Sequence, residues 1–568
     1  MDNIIDTPII EETEQSFLDY ALSVITDRAI PSVEDGVKPV VRRILYEMSE
    51  DGLASNKPYV KCATPIGNTM ARYHPHGDSS IYGALVGISQ PWTMRYPLID
   101  FHGNNGSRDG DGPAAYRYTE CRLSKIAEAT LDGIKKNTVD WVQNYAETED
   151  EPVYLPGLFP NLLCNGTAGI AVAMACSFAP HNLNEVMDAA IKYELNKNIT
   201  TDELLSCIQG PDFPTGGIVI NKDELRQAYL TGKGRARVRG EYVVEKGRGG
   251  HDILVFTSIP YKISKEVLVT EIDELCESKE IEGITEIRDE SNKKGVRFVI
   301  ELAKGVNADV IANKLYRLTD LETTYSFNQV ALENKAPHLM TFKDLIVNYV
   351  KHQEDVYLRK TKFELDKLKA RIHILEGLAR AVEDIDNIIA LIKASESAAT
   401  AKTSLMAKYN FSELQAKAIL DMKLSKLAHM EKIAIENELN DCQQEALLLE
   451  NALNDPAVAQ KNVADILTAF KMKFGDERRT TITQINVSPE EKEIAEIVPE
   501  DCVVVVTEAG NIKRVPASSF RTQKRNGKGV KNQDEITHSV IKTNTVDALM
   551  VFTNYGKVYR LGVDDIPV

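Results

Sequence analysis

Among the eight cysteines of this 568-residue chain no CxxC pair occurs. They fall at 62, 121, 164, 176, 207, 276, 442 and 502. That wide, irregular spacing argues against a zinc cage or a disulfide framework and for a reducing cytosol. No run nears the roughly 18 consecutive apolar residues of a membrane span. The start, MDNIIDTPIIEETEQ, lacks the basic-then-apolar order of a secretory signal. A cytoplasmic protein with no membrane attachment is expected. There is no P-loop and no acidic metal-binding domain. Positive charge is also in deficit: the net charge is −17, which taken globally argues against nucleic acid.

What is present changes that reading. Hydrophobic residues make up 43% and charged residues 27%, enough for folded cores and, by length, about three or four domains. The charge is segregated. From Arg28 to Arg95 there are eight Lys/Arg against six Asp/Glu, a local surplus of two. Acids gather elsewhere, at Glu147, Glu149, Asp150 and Glu151, and at Glu490, Glu491, Glu493 and Glu496. Position, not the total, must decide.

Residues 1–25 read as an arm with a helical pattern in SFLDYALSVI. Residues 26–150 carry short helices broken by Gly, Pro and Asn, most densely in FHGNNGSRDGDGP, just before Tyr116-Arg117-Tyr118-Thr119-Glu120. Residues 151–335 mix helices with strand-like runs at 216–220, 252–259 and 296–302. From 341 to 455 Pro and Gly almost vanish. Leu365, Leu368, Ile372, Leu375, Ala379 and Val382 then step by threes and fours, with Ile389 one heptad further on, a pattern that predicts a coiled coil; a plain helical bundle is the alternative. The run 432–453 can return antiparallel, leaving a helical head at about 397–430. After an acidic linker, 484–500, Val503–Val515 repeats as Leu549–Leu561 at an offset of 46. Thr507/Thr553, Gly510/Gly556 and Arg514/Arg560 match, so each copy reads as a β-hairpin with glycine in its turn. Such a period suits a propeller blade, and two copies are too few to close a ring.

Four clusters can carry chemistry. In Asp35-Gly-Val-Lys-Pro-Val-Val-Arg-Arg-Ile-Leu-Tyr46, Pro39 can open a helix with Lys38, Arg42 and Arg43 around its first turns. That is a phosphate site or simply a solvated basic face. In Tyr73-His-Pro-His-Gly-Asp-Ser-Ser-Ile-Tyr82, Asp78 or Ser79 can cap a helix running to about Ser89. Ile81, Leu85 and Ile88 form its buried face, and Ser79, Gly83 and Gly87 form a stripe of small residues. His74 and His76 lack an obvious third ligand for a metal, and Ser79 lacks a nucleophile-elbow context. In Arg117-Tyr118-Thr119-Glu120, Arg117 could stabilise a Tyr118 phenolate and an attacked phosphate, or the two could be an ordinary surface pair. In Asn165-Gly-Thr-Ala-Gly-Ile-Ala-Val172, Ile170 is either core or an apolar wedge between base pairs.

Together and in this order, these segments resemble the breakage-reunion subunit of bacterial type IIA topoisomerases. The resemblance spans nearly the whole chain and includes DYALSVITDRAIP, DGVKPVVRRILYEM, YHPHGDSSIYGALV, AAYRYTECRLSKIA, PNLLCNGTAGIAVAMA, GPDFPTGG, EGITEIRDES and QAKAILDMKLSKL. It implies a mixed α+β multidomain fold: an arm (1–25), a winged-helix DNA-gate domain (26–150), an α/β tower (151–335), a long antiparallel coiled coil with a dimer gate (336–483), and a partial C-terminal β-pinwheel (501–568). By resemblance Tyr118 is the nucleophile, becoming linked to a DNA 5′ end, and Arg117 holds the scissile phosphate. Arg28, Arg43, His74 and His76 line the site. Lys38, Arg42 and Ser79 contact DNA, and Ile170 intercalates.

The resemblance further implies double-stranded DNA as substrate, a homodimer, and a B-type partner in an A2B2 heterotetramer. That partner would bind ATP and most of the Mg²⁺, with no metal site in this chain. Gln523, Lys524, Arg525, Gly527, Lys528 and Gly529 are similar to the basic DNA-wrapping box of gyrase-type members, with Asn526 where that pattern usually has glycine. This favours the gyrase type over the decatenating topoisomerase IV type; a non-catalytic DNA-binding scaffold is the reading from another class. The family's quinolone-binding pair is a serine and an acidic residue four positions on; here they are Ser79 and Gly83.

Overall fold

The structure is a computed structural model and describes residues 9–247, 250–292, 295–422, 429–484, 501–519, 537–545, 547–563 and 566–567. It forms two compact units, residues 1–485 and 486–568.

In the first unit, helix α1 (Ile9–Val24) runs into a short π-turn, Ile25–Ala29, that carries Arg28. Helix α2 (Pro39–Glu50) begins where the sequence predicts, with Pro39 in its first turn; a proline there gives up only an N–H that would lack a helical partner anyway. Helix α3 (Ala63–Arg72) leads to helix α4 (Asp78–Gly87), whose first turn holds Asp78, an acid at the positive end of the helix dipole. Ile81, Leu85 and Ile88 are buried as expected. Three strands, β1 (Val60–Lys61), β2 (Ile99–His102) and β3 (Glu120–Leu123), form an antiparallel sheet with β3 in the centre. Tyr118 thus lies two residues before a central strand.

A six-stranded sheet follows. Its edge is the hairpin of Thr167–Ile170 and Ala175–Phe178, and its inner strands are Lys233–Arg239 and Glu322–Asn328. One continuous core joins it to α2 and α4 through Ile44, Leu45, Leu85, Phe159, Phe178 and Phe213. A separate four-stranded sheet contains Asp252–Phe256 and Phe298–Leu302, at the predicted strand positions, packed on helices Lys265–Glu277 and Ala308–Leu318 around its own core.

A 42-residue helix, Phe342–Glu383, opens on a capping box of Thr341 and Asp344. It is met by the helix His429–Asn454, and pairs such as Arg371–Glu438 and Lys369–Glu450 fix the two as antiparallel neighbours. Leu375, Val382 and Ile435 close the seam. The heptad pattern overruns the helix. Asp384 breaks it, and Ile388, rather than Ile389, is buried with Ala381, Leu405 and Phe411 in a head made of Ile385–Ala394, Ala398–Tyr409 and Glu413–Leu420. Of the Asp421–Leu427 segment, residues 423–427 lie outside the described residues. The outgoing helix begins, and the helix Pro456–Phe474 ends, in the same core: Phe342, Leu345 and Tyr349 share it with Val463, Leu467 and Phe470. A buried clamp seals this junction. Arg95 pairs with Asp212 at 2.9 Å and Asp476 at 2.6 Å, and the Tyr96 hydroxyl donates to Asp476 at 2.7 Å.

In the second unit the internal repeat is reproduced bond for bond. Asp501–Thr507 pairs with Ile512–Pro516, and Ala548–Phe552 with Val558–Gly562. Thr507 N donates to Asn511 O and Thr553 N to Lys557 O, both at 2.9 Å. Gly510 and Gly556 sit at φ +86° and +71°, the left-handed turn conformation that glycine adopts without a Cβ penalty. The basic box, 523–529, lies outside the described residues.

Candidate active site

Two consecutive arginines on α2 have different fates. Arg42 turns inward: its Nε meets Asp35 Oδ2 at 2.6 Å, and its Nη2 donates to Asp35 Oδ1 at 2.9 Å and Ser32 Oγ at 2.9 Å. Asp35 also accepts the Leu155 backbone N–H at 2.9 Å. With 10% of the Arg42 side chain exposed and none of Asp35, this charge is committed to holding the loop before α2. The sequence expectation places Arg42 against a DNA backbone; here the Nε–Nη2 edge of its guanidinium is bidentate to a buried carboxylate.

Arg43 points the other way. It is bidentate to Glu151, with both bonds at 2.7 Å, and its remaining nitrogen donates to His74 Nδ1 at 2.9 Å. His74 stacks on His76 with centroids 4.1 Å apart, and Arg28 donates to His76 Nε2 at 3.3 Å. The four residues named from sequence therefore form one chain: Arg28, His76, His74, Arg43. A guanidinium can only donate, so each imidazole presents a lone pair to its arginine. Burial, reinforced by the charges of His76, Arg43 and Arg28, pushes His74 down to about 4. Glu151 escaped the sequence reading, which set the 147–151 acids apart. Folding returns Glu149 to Arg72 and Glu151 to Arg43, so much of the local positive surplus is internally balanced.

Tyr118 is the exception to this pairing. The residue is 65% exposed, with the Arg117 guanidinium 4.7 Å from its ring centroid. Its backbone, by contrast, is held. Tyr118 N donates to Ala115 O at 2.9 Å, and Lys61 Nζ donates to Tyr118 O at 3.2 Å. The next residue, Thr119, is buried, and its carbonyl accepts Cys62 N at 3.0 Å. Tyr116 and Tyr118 do not lie side by side on an extended strand, because residues 116–118 form a turn. Tyr116 packs edge-on against Tyr82, and the nearby Asp78 carboxylate raises its pKa. Among the described residues no hydrogen bond, ion pair or ring contact joins Tyr118 to the Arg28–Arg43 chain.

Around this centre, Ser79 and Gly83 are exposed on α4, and no atom lies within 4 Å of a Cβ built at Gly83. Ile170 is 88% exposed at the end of its hairpin strand, so it is not a core residue. The Lys38 ammonium donates to Ala168 O of that hairpin at 2.6 Å, and burial lowers its pKa. Lys38 and Lys262 line a cavity of about 320 Å³ with Asn165 and Tyr261. Among the described residues no three His, Cys, Asp or Glu side chains are grouped to hold a metal ion, and no helix is long and apolar enough to cross a membrane.

The site thus offers an exposed tyrosine on a fixed backbone with the Arg117 guanidinium beside its ring. The chain belongs to the A-subunit family of DNA gyrase and topoisomerase IV, whose sequence model matches residues 28–468. Residues 503–536 and 547–568 match the DNA gyrase C-terminal domain, beta-propeller. Among its relatives, the DNA gyrase A subunit of Staphylococcus epidermidis is 44% identical over 565 residues, covering 98% of this chain and 63% of the relative. The DNA gyrase A subunit of Streptococcus pyogenes serotype M1 is 45% identical over 570 residues, covering all of this chain and 69% of the relative. That of Streptococcus pneumoniae is 44% identical over 570 residues, with the same shares covered. The chain thus spans about two thirds of the length of these relatives.

Proposed function

We propose that this chain is the DNA-cleaving and resealing subunit of a gyrase-type type II topoisomerase. The observation that carries the reading is the Tyr118 hydroxyl, open to solvent on an anchored backbone with Arg117 beside its ring. In this reaction the phenolic oxygen attacks a DNA phosphorus and gives up its proton as the bond forms. The 3′-oxygen leaves and takes up a proton, and the 5′ phosphate remains esterified to Tyr118. Reversal reseals the strand without ATP, because the ester conserves the broken bond's energy. Arg117 holds the phosphate under attack. The exposed Ile170 wedges between base pairs to bend the duplex, with Lys38 and Ser79 against the backbone.

In the same reading residues 26–150 are the winged-helix gate, 151–335 the tower, and 336–483 the coiled coil with its dimerisation gate. The second unit belongs to a β-pinwheel that wraps DNA. The protein works in the bacterial cytoplasm as a homodimer joined by two B-type subunits, which hydrolyse ATP and hold the Mg²⁺; that ion would neutralise phosphate charge. The match of 503–536 and 547–568 to a gyrase C-terminal domain, and relatives named as gyrase subunits, support the gyrase type over topoisomerase IV.

The test is formation of a covalent protein–DNA adduct with the B-type partner, Mg²⁺ and supercoiled DNA. Tyr118→Phe should lose the adduct by at least about 10³-fold while DNA affinity changes less than about twofold, since no phosphate-pairing charge is removed. An active partner with no adduct from the unaltered chain would overturn the enzyme reading in favour of a scaffold. Adduct in Tyr118→Phe that disappears on adding Tyr116→Phe would move the nucleophile.

A further inference from the structure

The segment bearing Tyr118 is held from one side by a single buried hydroxyl. Tyr82, one residue before Gly83 on α4, is 7% exposed. Its hydroxyl donates to Ala114 O at 2.5 Å and lies 3.0 Å from Thr119 Oγ1. These two atoms bracket Tyr118, one four residues before it and the other on its immediate neighbour. A phenol has one proton to give. With that proton on Ala114 O, the Thr119 hydroxyl donates to Tyr82, and all three groups are satisfied. The Tyr82 ring also supports Tyr116 edge-on at 5.8 Å. On its far side Thr119 is pinned by Cys62 N and by the close approach of Gly103, where a Cβ would lie 3.3 Å from Thr119 Cγ2. The chain around Tyr118 is therefore clamped between α4 and the β1–β3 sheet, while the side chains of Arg117 and Tyr118 stay exposed.

We infer that Tyr82 is a positioning residue for cleavage: its hydroxyl fixes the 114–119 turn so that the Tyr118 oxygen is presented in line with the phosphate. This rests on Tyr118 being the nucleophile. Tyr82 touches no reacting atom and acts only through Ala114 and Thr119. An ordinary packing role for the ring predicts that the hydroxyl is dispensable for rate; a positioning role predicts the reverse. In-line attack is sensitive to displacements of about 1 Å.

The decisive variant is Tyr82→Phe, which keeps the ring and removes only the hydroxyl, in the full chain reconstituted with its B-type partner and Mg²⁺. Single-turnover cleavage of a linear duplex should slow by roughly ten- to a hundredfold. Religation should slow by the same factor, because both directions share one transition state and the cleaved fraction at equilibrium is unchanged. DNA affinity and melting temperature should stay near the unaltered values. Thr119→Val supplies the second arm. It removes one end of the strap, so Tyr82→Phe should cost less in that background than in the unaltered chain.

An unchanged rate, a loss confined to the amplitude of active protein with a lowered melting temperature, or strictly additive effects of the two substitutions would each overturn the inference. If the unaltered chain forms no adduct, the proposed function itself fails. If it does and Tyr82→Phe matches it, only the role of Tyr82 falls.

Discussion

The layer of charge behind α2 and the outward face of α4 with the Tyr118 turn are neighbours built on opposite plans. Behind α2 every cation is spoken for: Arg42 by Asp35, Arg43 by Glu151 and His74, Arg72 by Glu47 and Glu149. On the α4 side, Ser79, Gly83, Arg117 and Tyr118 face outward, and no salt bridge among the described residues holds them. The difference separates folding from chemistry. Substitutions at Asp35, Arg42 and Arg72 should act mainly on stability, and substitutions on the second side mainly on reaction or binding.

Asp35→Ala is the strongest way to break that division. It leaves the Arg42 guanidinium buried without its carboxylate, which costs roughly 3–5 kcal/mol. Chemical denaturation should show the large unit destabilised by about that amount, with Arg42→Met added to Asp35→Ala recovering part of it. Equal stability of Asp35→Ala and the unaltered protein would show that the Arg42 charge is not locked in.

Gly83→Asp probes the other face. The space for a Cβ is open, so stability should move by less than about 0.5 kcal/mol. The new carboxylate stands four residues from Ser79 on one helix face, where it would restore the acidic partner that the family resemblance gives the quinolone-binding pair. A charge-assisted hydrogen bond of about 1.5–3 kcal/mol corresponds to roughly a ten- to hundredfold gain in potency. Quinolone-stabilised cleavage should thus need that much less drug in the variant. Matching drug concentrations for both proteins would mean the missing carboxylate is immaterial.

The smallest expected effect sharpens the comparison through pH. His74 is pushed down to about 4 by burial and neighbouring positive charge, below the ordinary histidine value of about 6.5. Between those values the unfolded chain binds the proton that the folded chain refuses. Stability from this group is therefore complete above about pH 6.5 and falls as pH drops toward 4. Allowing for solvent screening, the loss is on the order of 1–2 kcal/mol. His74→Gln should flatten that part of the stability–pH curve; an identical curve would remove His74 as its source.

How much of this was legible in the sequence follows the same divide. The start of α2 at Pro39, the buried face of α4, the three strand runs and the glycine turns of the C-terminal repeat could all be read, because each rests on local spacing or backbone chemistry. The grouping of Arg28, Arg43, His74 and His76 came only through the family resemblance. The loss of Arg42 to Asp35 was not visible, although the two lie seven residues apart: a basic helix start looks the same whether its arginine faces a phosphate or a buried carboxylate. Tyr82 was equally hidden, since its partners lie 32 and 37 residues away. The heptad steps ran on past Asp384 because periodicity records which residues are apolar and not where a helix stops.

The long helical arm leaves the core at Phe342 and comes home to it at Phe470, and the clamp of Arg95 on Asp476 spans 381 residues of sequence. Seen as a matter of chain length, the arm is a detour whose two feet share one footing. Closing a larger loop adds entropy only as the logarithm of its length. Matched turns could be gained or lost from the outgoing and returning helices while the footing stayed as it is. Reach is then nearly a free parameter of this molecule, adjustable over generations without renegotiating the ground on which Tyr118 stands.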